Sequence, residues 1–384
     1  MRILRVAQTI YPDVKGGGAY HVHALSRDQA DMGHDVTVLT VDADRSRPHV
    51  ETRSGYTVVR YPTTVDALGN DVSVGLAQHL STADRFDVVH AHSHLYFSTN
   101  LAALARCLKD TPLAITNHGL YSQNAPKWLF DAYLKSVGRW TFNRADVVFC
   151  YTDVERERLE SLGVKSEVAV VPNGIDTTKF TPDGPTSDLV DPGTESILFV
   201  GRVVEGKRPL IAIDALSQLN SETKPTLYVC GDGPMLEEAR EHADAKRLAD
   251  RVVFLGQVAY EEMPALYRSG DLLVLPSRAE GVPRTVLEAM ATETPVVCSS
   301  LDQVEGVLGG AGTTAPVDDV AGFTRAIESY VGDPERRANA GKVGRERVKA
   351  NHEWRETVER TTETLESIAT GSKPAPVRPN VGHE

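Results

Sequence analysis

Ile197-Leu198-Phe199-Val200-Gly201-Arg202 is an unbroken apolar run that ends on a glycine and then a cation, with Lys207 five residues on. No polar residue interrupts it, so it reads as a strand buried on both faces, the mark of a parallel sheet covered by helices. A glycine at the end of a strand lets a ligand approach the backbone. Two cations near a carboxyl end can clamp a pyrophosphate. Taken alone, the stretch is equally a solvated basic turn.

Working outward, the same grammar repeats. Thr226–Cys230, Val252–Leu255, Leu272–Leu275 and Pro295–Cys298 are short aliphatic or β-branched runs separated by helical stretches. Before them, Thr177 to Pro192 collects Pro, Gly, Thr and Asp, which is linker chemistry. The first half alternates in the same way: strand Ile3–Gln8, glycine turn Gly16–Gly18, helix Ala19 to Met32 stopped by Gly33, then strand Val36–Val41. Candidate strands follow at Thr57–Tyr61, Val88–His90, Leu113–Thr116, Val147–Cys150 and Val168–Val171. The prediction is an α/β protein of two doubly wound, Rossmann-like parallel-sheet domains. Ligands of such sheets bind outside the carboxyl ends of the strands, here in a cleft between the domains.

A chain of 384 residues is long enough for two cores. With 41% hydrophobic and 24% charged residues it is globular, and no apolar run is long enough to span a bilayer. The amino-terminal segment has no signal-peptide pattern, which predicts a cytoplasmic protein. The net charge of −12 argues against nucleic-acid binding, which needs clustered cations. Cys107, Cys150, Cys230 and Cys298 match no metal or redox spacing and read as buried thiols.

The segment Glu280-Gly281-Val282-Pro283-Arg284-Thr285-Val286-Leu287-Glu288-Ala289-Met290 carries more chemistry. Pro283 suits a first helical turn, so Gly281 and Val282 would present N–H groups to an anion at a helix N-terminus. Glu288, two turns beyond Glu280, can accept hydrogen bonds from two vicinal ribose hydroxyls, while Glu280 faces the reacting group. The plain alternative makes Glu280 a cap and Glu288 a surface charge. Gly231-Asp232-Gly233-Pro234 is a second tight strand-to-helix turn, and Thr116-Asn117-His118-Gly119 places a histidine at a strand end.

In order along the chain stand a glycine loop after the first strand, His118-Gly119, Val171 to Asp176 (Val-Pro-Asn-Gly-Ile-Asp), Gly201-Arg202 with Lys207, Gly231 to Pro234, and Glu280 with Glu288. That order resembles the retaining glycosyltransferases of family 4, which have the GT-B fold, over nearly the whole chain. The resemblance implies that Arg202 and Lys207 hold the donor diphosphate and stabilise the leaving group in place of a metal. Glu288 would bind the ribose. Glu280, with the N–H groups of Gly281 and Val282, would orient the sugar, and Gly201 and Gly233 would line the donor site. His118 would lie beside the transferred sugar, and Gly17 and Gly18 would approach the diphosphate or acceptor.

The implied reaction moves a hexose, with retention and without cofactor or metal, from a UDP- or GDP-sugar to a glycan, lipid-linked or small-molecule acceptor in polysaccharide or glycoconjugate biosynthesis. The expected organisation is an acceptor domain at 1–176, a linker at 177–192, a donor domain at 193–350, a helix at 351–370 crossing back, and a disordered tail at 371–384. Two alternatives stay open: a sugar-nucleotide epimerase of the same fold, and a non-catalytic nucleotide-sugar binder.

Glu293 stands where the family usually has glycine, so that turn must be rebuilt or avoid a positive φ. The loop Leu301-Asp302-Gln303-Val304-Glu305 departs from the usual Gly-Gly-Glu. Asp42-Ala43-Asp44 matches a metal-binding signature of another fold and is set aside as a chance match. His90, His92 and His94 alternate at strand spacing and so share a face, as residues lining the cleft or as a metal site. The helix from Pro126 to Arg144 interleaves Trp128, Leu129, Phe130, Tyr133, Leu134, Val137 and Trp140 with Lys127, Lys135, Arg139 and Arg144. Its stripe packs into the first domain, or rests on anionic lipid at the inner face of the membrane.

Overall fold

The computed structural model describes residues 1–44, 46–67, 70–83, 86–121, 127–220 and 223–372. Most of the tail expected to be disordered, and Pro126, therefore lie outside the described residues. Two compact units divide the chain. The first is built on Met1–Leu120, the segment ending at Pro172 and the chain from Glu356; the second is built on Asn173–Arg355. Residues 177–192, read as a linker, belong to the second unit, and the division falls at Pro172 and Asn173.

In the first unit the strands are β1 (Arg2–Val6), β2 (Asp35–Asp42), β3 (Val50–Arg53), β4 (Tyr56–Pro62), β5 (Val65–Ala67), β6 (Asn70–Val72), β7 (Val88–His92), β8 (Leu113–Thr116), β9 (Val147–Cys150) and β10 (Glu167–Val170). Eight of them form one sheet in the order β10-β9-β8-β7-β1-β2-β4-β3, and β5 and β6 pair separately. All pairings in the large sheet are parallel except β3 with β4. That exception was not foreseen. Ser54 and Gly55, both at positive φ (45° and 83°), make the two-residue turn that the twist of a hairpin favours. The short edge strand it creates alternates exposed and half-buried residues, so no apolar run announces it.

Alternation along the central strands divides the core. Leu4, Val6, Leu39 and Val148 pack on one face with Leu76, Ala102, Phe142 and Leu159. Ile3, Ala7, Val36 and Val58 pack on the other with Val22 of the helix Gly17–Asp31 and with Leu365 and Ile368 of the helix Trp354–Ala369.

The second unit contains β11 (Ser196–Val200), β12 (Thr226–Cys230), β13 (Val252–Gly256), β14 (Leu272–Leu275), β15 (Val296–Ser299) and β16 (Gly312–Ala315) in the order β13-β12-β11-β14-β15-β16, all parallel. β16 escaped the sequence reading because Gly-Thr-Thr-Ala carries no aliphatic run. In both sheets the strand order reverses beside the first strand, between β1 and β7 and between β11 and β14. Loops leave in opposite directions there, which opens a crevice at the carboxyl ends.

Glu293 corrects an expectation. It ends the helix Arg284–Ala291 at φ 60°, in the left-handed region, so the turn neither is rebuilt nor avoids a positive φ. Its N–H donates to the Met290 carbonyl at 3.2 Å and the Thr294 N–H to that of Ala289 at 2.9 Å, the paired bonds of a Schellman ending. Those bonds hold a side-chain-bearing residue where glycine fits better, at a cost of about 1 kcal/mol. Glu293→Gly is therefore expected to stabilise the protein by about 0.5–1 kcal/mol. An unchanged or lower urea midpoint would count against this account.

Candidate functional site

The crevice of the second unit lies between β11 and β14. After β11 the chain passes Gly201 and the exposed Arg202 into a short 3-10 turn, Glu205–Lys207. After β14 it runs through the buried Ser277 to Glu280, which is 6% exposed. The Arg278 N–H donates to the Gly206 carbonyl at 2.8 Å, tying the two loops together. Lys207 Nζ then donates to Glu280 Oε1 in a close, largely buried ion pair. The two residues are 73 positions apart in the chain. In so dry a place neither charge stands without the other, because desolvating a lone charge is costly.

Gly231 and Gly233 have a packing reason to be glycine. A Cβ on Gly231 would lie 1.8 Å from the Gly201 carbonyl oxygen, and one on Gly233 would lie 2.3 Å from that of Val203. The turn after β12 thus braces the Gly201–Val203 loop from behind, with the Val203 N–H donating to the Asp232 carbonyl at 2.8 Å.

The helix Arg284–Ala291 begins one residue later than expected. Pro283 is its N-cap (φ −70°, ψ 122°), not its first helical residue. Gly281 and Val282 are buried, and the Val282 carbonyl accepts from Asn173 Nδ2 at 3.2 Å. Glu288, 4% exposed, lies inside a network that the sequence did not reveal. Tyr260 donates to its Oε1 at 3.2 Å, Tyr267 donates to its Oε2 at 3.0 Å, and Arg284 Nε stands 3.7 Å from Oε1. Burial raises the Glu288 carboxyl above the usual range and the Arg284 charge opposes the rise. Glu288 is thus a buried, hydrogen-bonded carboxylate rather than a surface charge. Lys179 caps the Tyr260 ring at 4.3 Å from its centroid.

In the first unit the histidines gather at the carboxyl ends beside the β1–β7 reversal. Tyr151 Oη and His118 Nδ1 are 2.6 Å apart, and His92 Nδ1 and His118 Nε2 are 3.1 Å apart. His21, from the first helix, meets the His118 ring edge to face at 5.3 Å. Below them the wholly buried Arg5 donates to Ser26 Oγ at 2.7 Å and to Gln29 Oε1 at 2.5 Å. Among the described residues no carboxylate pairs with Arg5, and burial lowers its guanidinium to about 9.

His94 departs from the expected shared face. Ser93 takes φ 65°, which breaks the strand alternation, and His94 packs against Phe142 (4.8 Å between centroids) on the opposite side of the sheet. Among the described residues no group of three or more His, Cys, Asp or Glu side chains is placed to hold a metal ion. Asp42 is taken up by Arg47 at 2.9 Å, and Asp44 by Ser46.

Gly16 and Gly18 have open space where a Cβ would stand, and Gly17 and Gly18 are exposed. Packing does not demand glycine at 16 or 18, unlike Gly231. Cys107 is exposed, contrary to expectation, while the other three thiols are buried.

The helix after Pro126 is broken by a π turn at Leu134–Gly138. Phe130, Leu134 and Phe142 are buried in the core, whereas Trp128 (72% exposed), Leu129 and Val137 face outward. The expected apolar stripe therefore divides, half to the core and half to the surface. No helix among the described residues is long and apolar enough to cross a membrane.

Burial sets a pH dependence. It lowers His94 to about 3 and His118 and His352 to about 4, and it takes His90 and His92 well below the usual value of 6.5. Each of these bases binds protons more readily when unfolded, so stability is lost as pH falls below 6.5 towards 4. Glu155 and Glu288 have the opposite sign, since burial raises both carboxyls. For Glu155 the rise is from 4.5 to about 7, and the stability it contributes is lost as pH rises through that value. The five histidines outnumber these two carboxyls, so the urea midpoint is expected to fall between about pH 7 and about pH 5, and to fall less in His94→Phe. A midpoint that rises on acidification would contradict this.

Residues 15–179 match the model of Glycosyltransferase Family 4, and residues 186–347 match that of Glycosyl transferases group 1. A glycogen synthase of Mycobacterium tuberculosis is 30% identical over 421 residues, covering 100% of this chain and 99% of that one. A GDP-mannose-dependent α-(1-6)-phosphatidylinositol monomannoside mannosyltransferase of Mycolicibacterium smegmatis is 28% identical over 378 residues, covering 92% of this chain and 96% of that one. The structure of HepE from Anabaena in complex with UDP-glucose superposes with a TM-score of 0.80 at 20% identity, covering 96% of this chain and 100% of that one. The fold is GT-B, and the chain belongs to glycosyltransferase family 4, the group 1 glycosyl transferases.

Proposed function

We propose that the protein is a retaining, metal-independent hexosyltransferase that uses a UDP- or GDP-sugar. The observation that carries this reading is the buried Lys207–Glu280 pair at the carboxyl ends of β11 and β14. The arriving diphosphate takes its countercharge from Lys207 and from the exposed Arg202, in the role that a divalent ion plays in other transferases. Glu280, relieved of part of its lysine, orients a sugar hydroxyl. Glu288, held by Tyr260 and Tyr267, accepts from the ribose. The second unit grips the donor and the first receives the acceptor, with His118 beside the transferred sugar.

Retention follows from attack by the acceptor on the donor's own face, its proton passing to the departing phosphate oxygen. Catalysis then rests on positioning and electrostatics. The named activities of two relatives bear on the substrates: one is a glycogen synthase and the other acts on a phosphatidylinositol mannoside with GDP-mannose. They support a hexose donor and a glycan or lipid-linked acceptor.

A thermal-shift panel of nucleotide sugars tests the donor, since a ligand of the native state raises the melting temperature by mass action. UDP-glucose or GDP-mannose is expected to raise it. Lys207→Ala and Glu288→Ala are each expected to weaken that donor about tenfold or more, the worth of one charged hydrogen bond. His118→Ala is expected chiefly to slow turnover. Unchanged kinetics in all three variants would overturn the assignment. A new epimer formed from donor alone would favour an epimerase, and tight donor binding without transfer or hydrolysis would favour a simple binder.

The exposed Trp128, Leu129 and Val137 stand on a segment that also exposes Lys135, Arg139 and Arg144. This combination supports peripheral contact with anionic lipid by a chain whose net charge is −12. The protein is expected to pellet with anionic vesicles at low salt and to be released as salt rises. Failure to pellet at low salt would sink this part of the reading.

A further inference from the structure

The histidines at the carboxyl ends of β7 and β8 form two hydrogen-bonded runs side by side, and the proton positions in each can be worked out from its partners. A guanidinium only donates. Arg5 Nη2 lies 3.4 Å from His90 Nδ1, so that nitrogen accepts and His90 carries its proton on Nε2. His90 Nε2 then donates to Thr116 Oγ1 at 2.7 Å. His92, two residues on, shares the same face and meets the His90 ring at 4.4 Å between centroids.

His92 is 2% exposed, and its Nε2 has no partner among the described residues. A buried N–H without an acceptor is rarer and costlier than a buried lone pair without a donor. The proton of His92 therefore sits on Nδ1, which faces His118 Nε2 at 3.1 Å. His118 Nε2 must then accept, so His118 carries its own proton on Nδ1, facing Tyr151 Oη at 2.6 Å. Glu155 steadies both neighbours, accepting the Tyr151 N–H at 2.9 Å and Asn117 Nδ2 at 3.4 Å. The rings of His92 and His118, inclined at 25° with centroids 5.4 Å apart, lie edge to edge, as an in-plane hydrogen bond between their nitrogens requires.

We propose that His92 is a positioning residue for sugar transfer, whose Nδ1–H holds His118 in one plane and in the Nδ1-protonated tautomer. The proposal rests on the reading of His118 as a residue beside the transferred sugar. Its chemical consequence is specific. His118 carries no proton at Nε2 and its single lone pair there is engaged by the His92 N–H, so a sugar hydroxyl reaching that nitrogen must arrive as a hydrogen-bond donor and share or displace that bond. An unrestrained neutral imidazole populates both tautomers and would present the wrong one part of the time.

The test is a long-range nitrogen–proton correlation spectrum of the imidazoles in the full chain without ligand, His118 being identified by the loss of its signals in His118→Gln. The expected wild-type spectrum shows His118 protonated at Nδ1. His92→Phe keeps an aromatic ring and removes the donor. It is expected to spread His118 over both tautomers and to lower kcat on UDP-glucose or GDP-mannose about tenfold, the worth of one hydrogen bond, with the donor KM unchanged.

His92→Asn, whose amide can donate from near the place of Nδ1, is expected to restore both. A folded His92→Phe in which His118 stays protonated at Nδ1 overturns the proposal, as does an asparagine variant that restores neither. Should the phenylalanine variant not fold, the wild-type spectrum decides, since His118 protonated at Nε2 contradicts the scheme. Undiminished turnover in His118→Ala would instead remove the sugar-transfer reading while leaving the tautomer result standing, so the two failures are separable.

Discussion

Each unit of the protein is organised by one constraint: a fully buried strand must hydrogen-bond on both edges. β1 lies between β2 and β7, and β11 lies between β12 and β14. Because the chain fills one side first and then returns to the other, the loops after the central strands diverge. Backbone that would otherwise be covered is left open at the carboxyl ends. Arg202, Lys207 and Glu280 follow one such pair of strands, and His92 ends a strand of the other. The chemistry of the chain collects where the topology leaves room for it.

The two crevices solve the electrostatic problem differently. In the second unit the buried charges are paired, Lys207 with Glu280 and Arg284 with Glu288. Such pairs contribute little net stability, because desolvation offsets most of the Coulomb gain. They do hold strong charges in fixed orientations. Among the described residues of the first unit, Arg5 is a guanidinium buried without a carboxylate, and the imidazoles near it are held neutral by burial and by that charge. Neutral rings hydrogen-bond directionally. One crevice is therefore lined by fixed charges, and the other by neutral, directional rings.

Several departures from the sequence reading share a cause. Ser93 at φ 65° turns His94 to the far face of the sheet, and Glu293 at φ 60° occupies a glycine's place at a helix end. Neither residue type announces a positive φ; the surrounding hydrogen bonds impose it. The Ser54-Gly55 hairpin is of the same kind, because its strand is too short and too polar to register as a run. The segment after Pro126 shows the converse. Its apolar residues were plain, but which of them would be buried depended on a π turn that no periodicity reveals.

The amino-acid sequence by itself determined the alternation of strands and helices, the repetition of that pattern, and the candidacy of Arg202, Lys207, Glu280, Glu288 and His118. All of these are local features, since an apolar run, a glycine at its end and a charge just beyond it are visible within a dozen residues. Only the tertiary structure decided the partners. Glu288 depends on Tyr260 and Tyr267, 28 and 21 positions earlier, and His118 depends on His92 and Tyr151, 26 and 33 positions away. Such pairings follow from which strands lie side by side and where their ends fall. That order is set by the packing of the whole sheet, and no local stretch of sequence contains it.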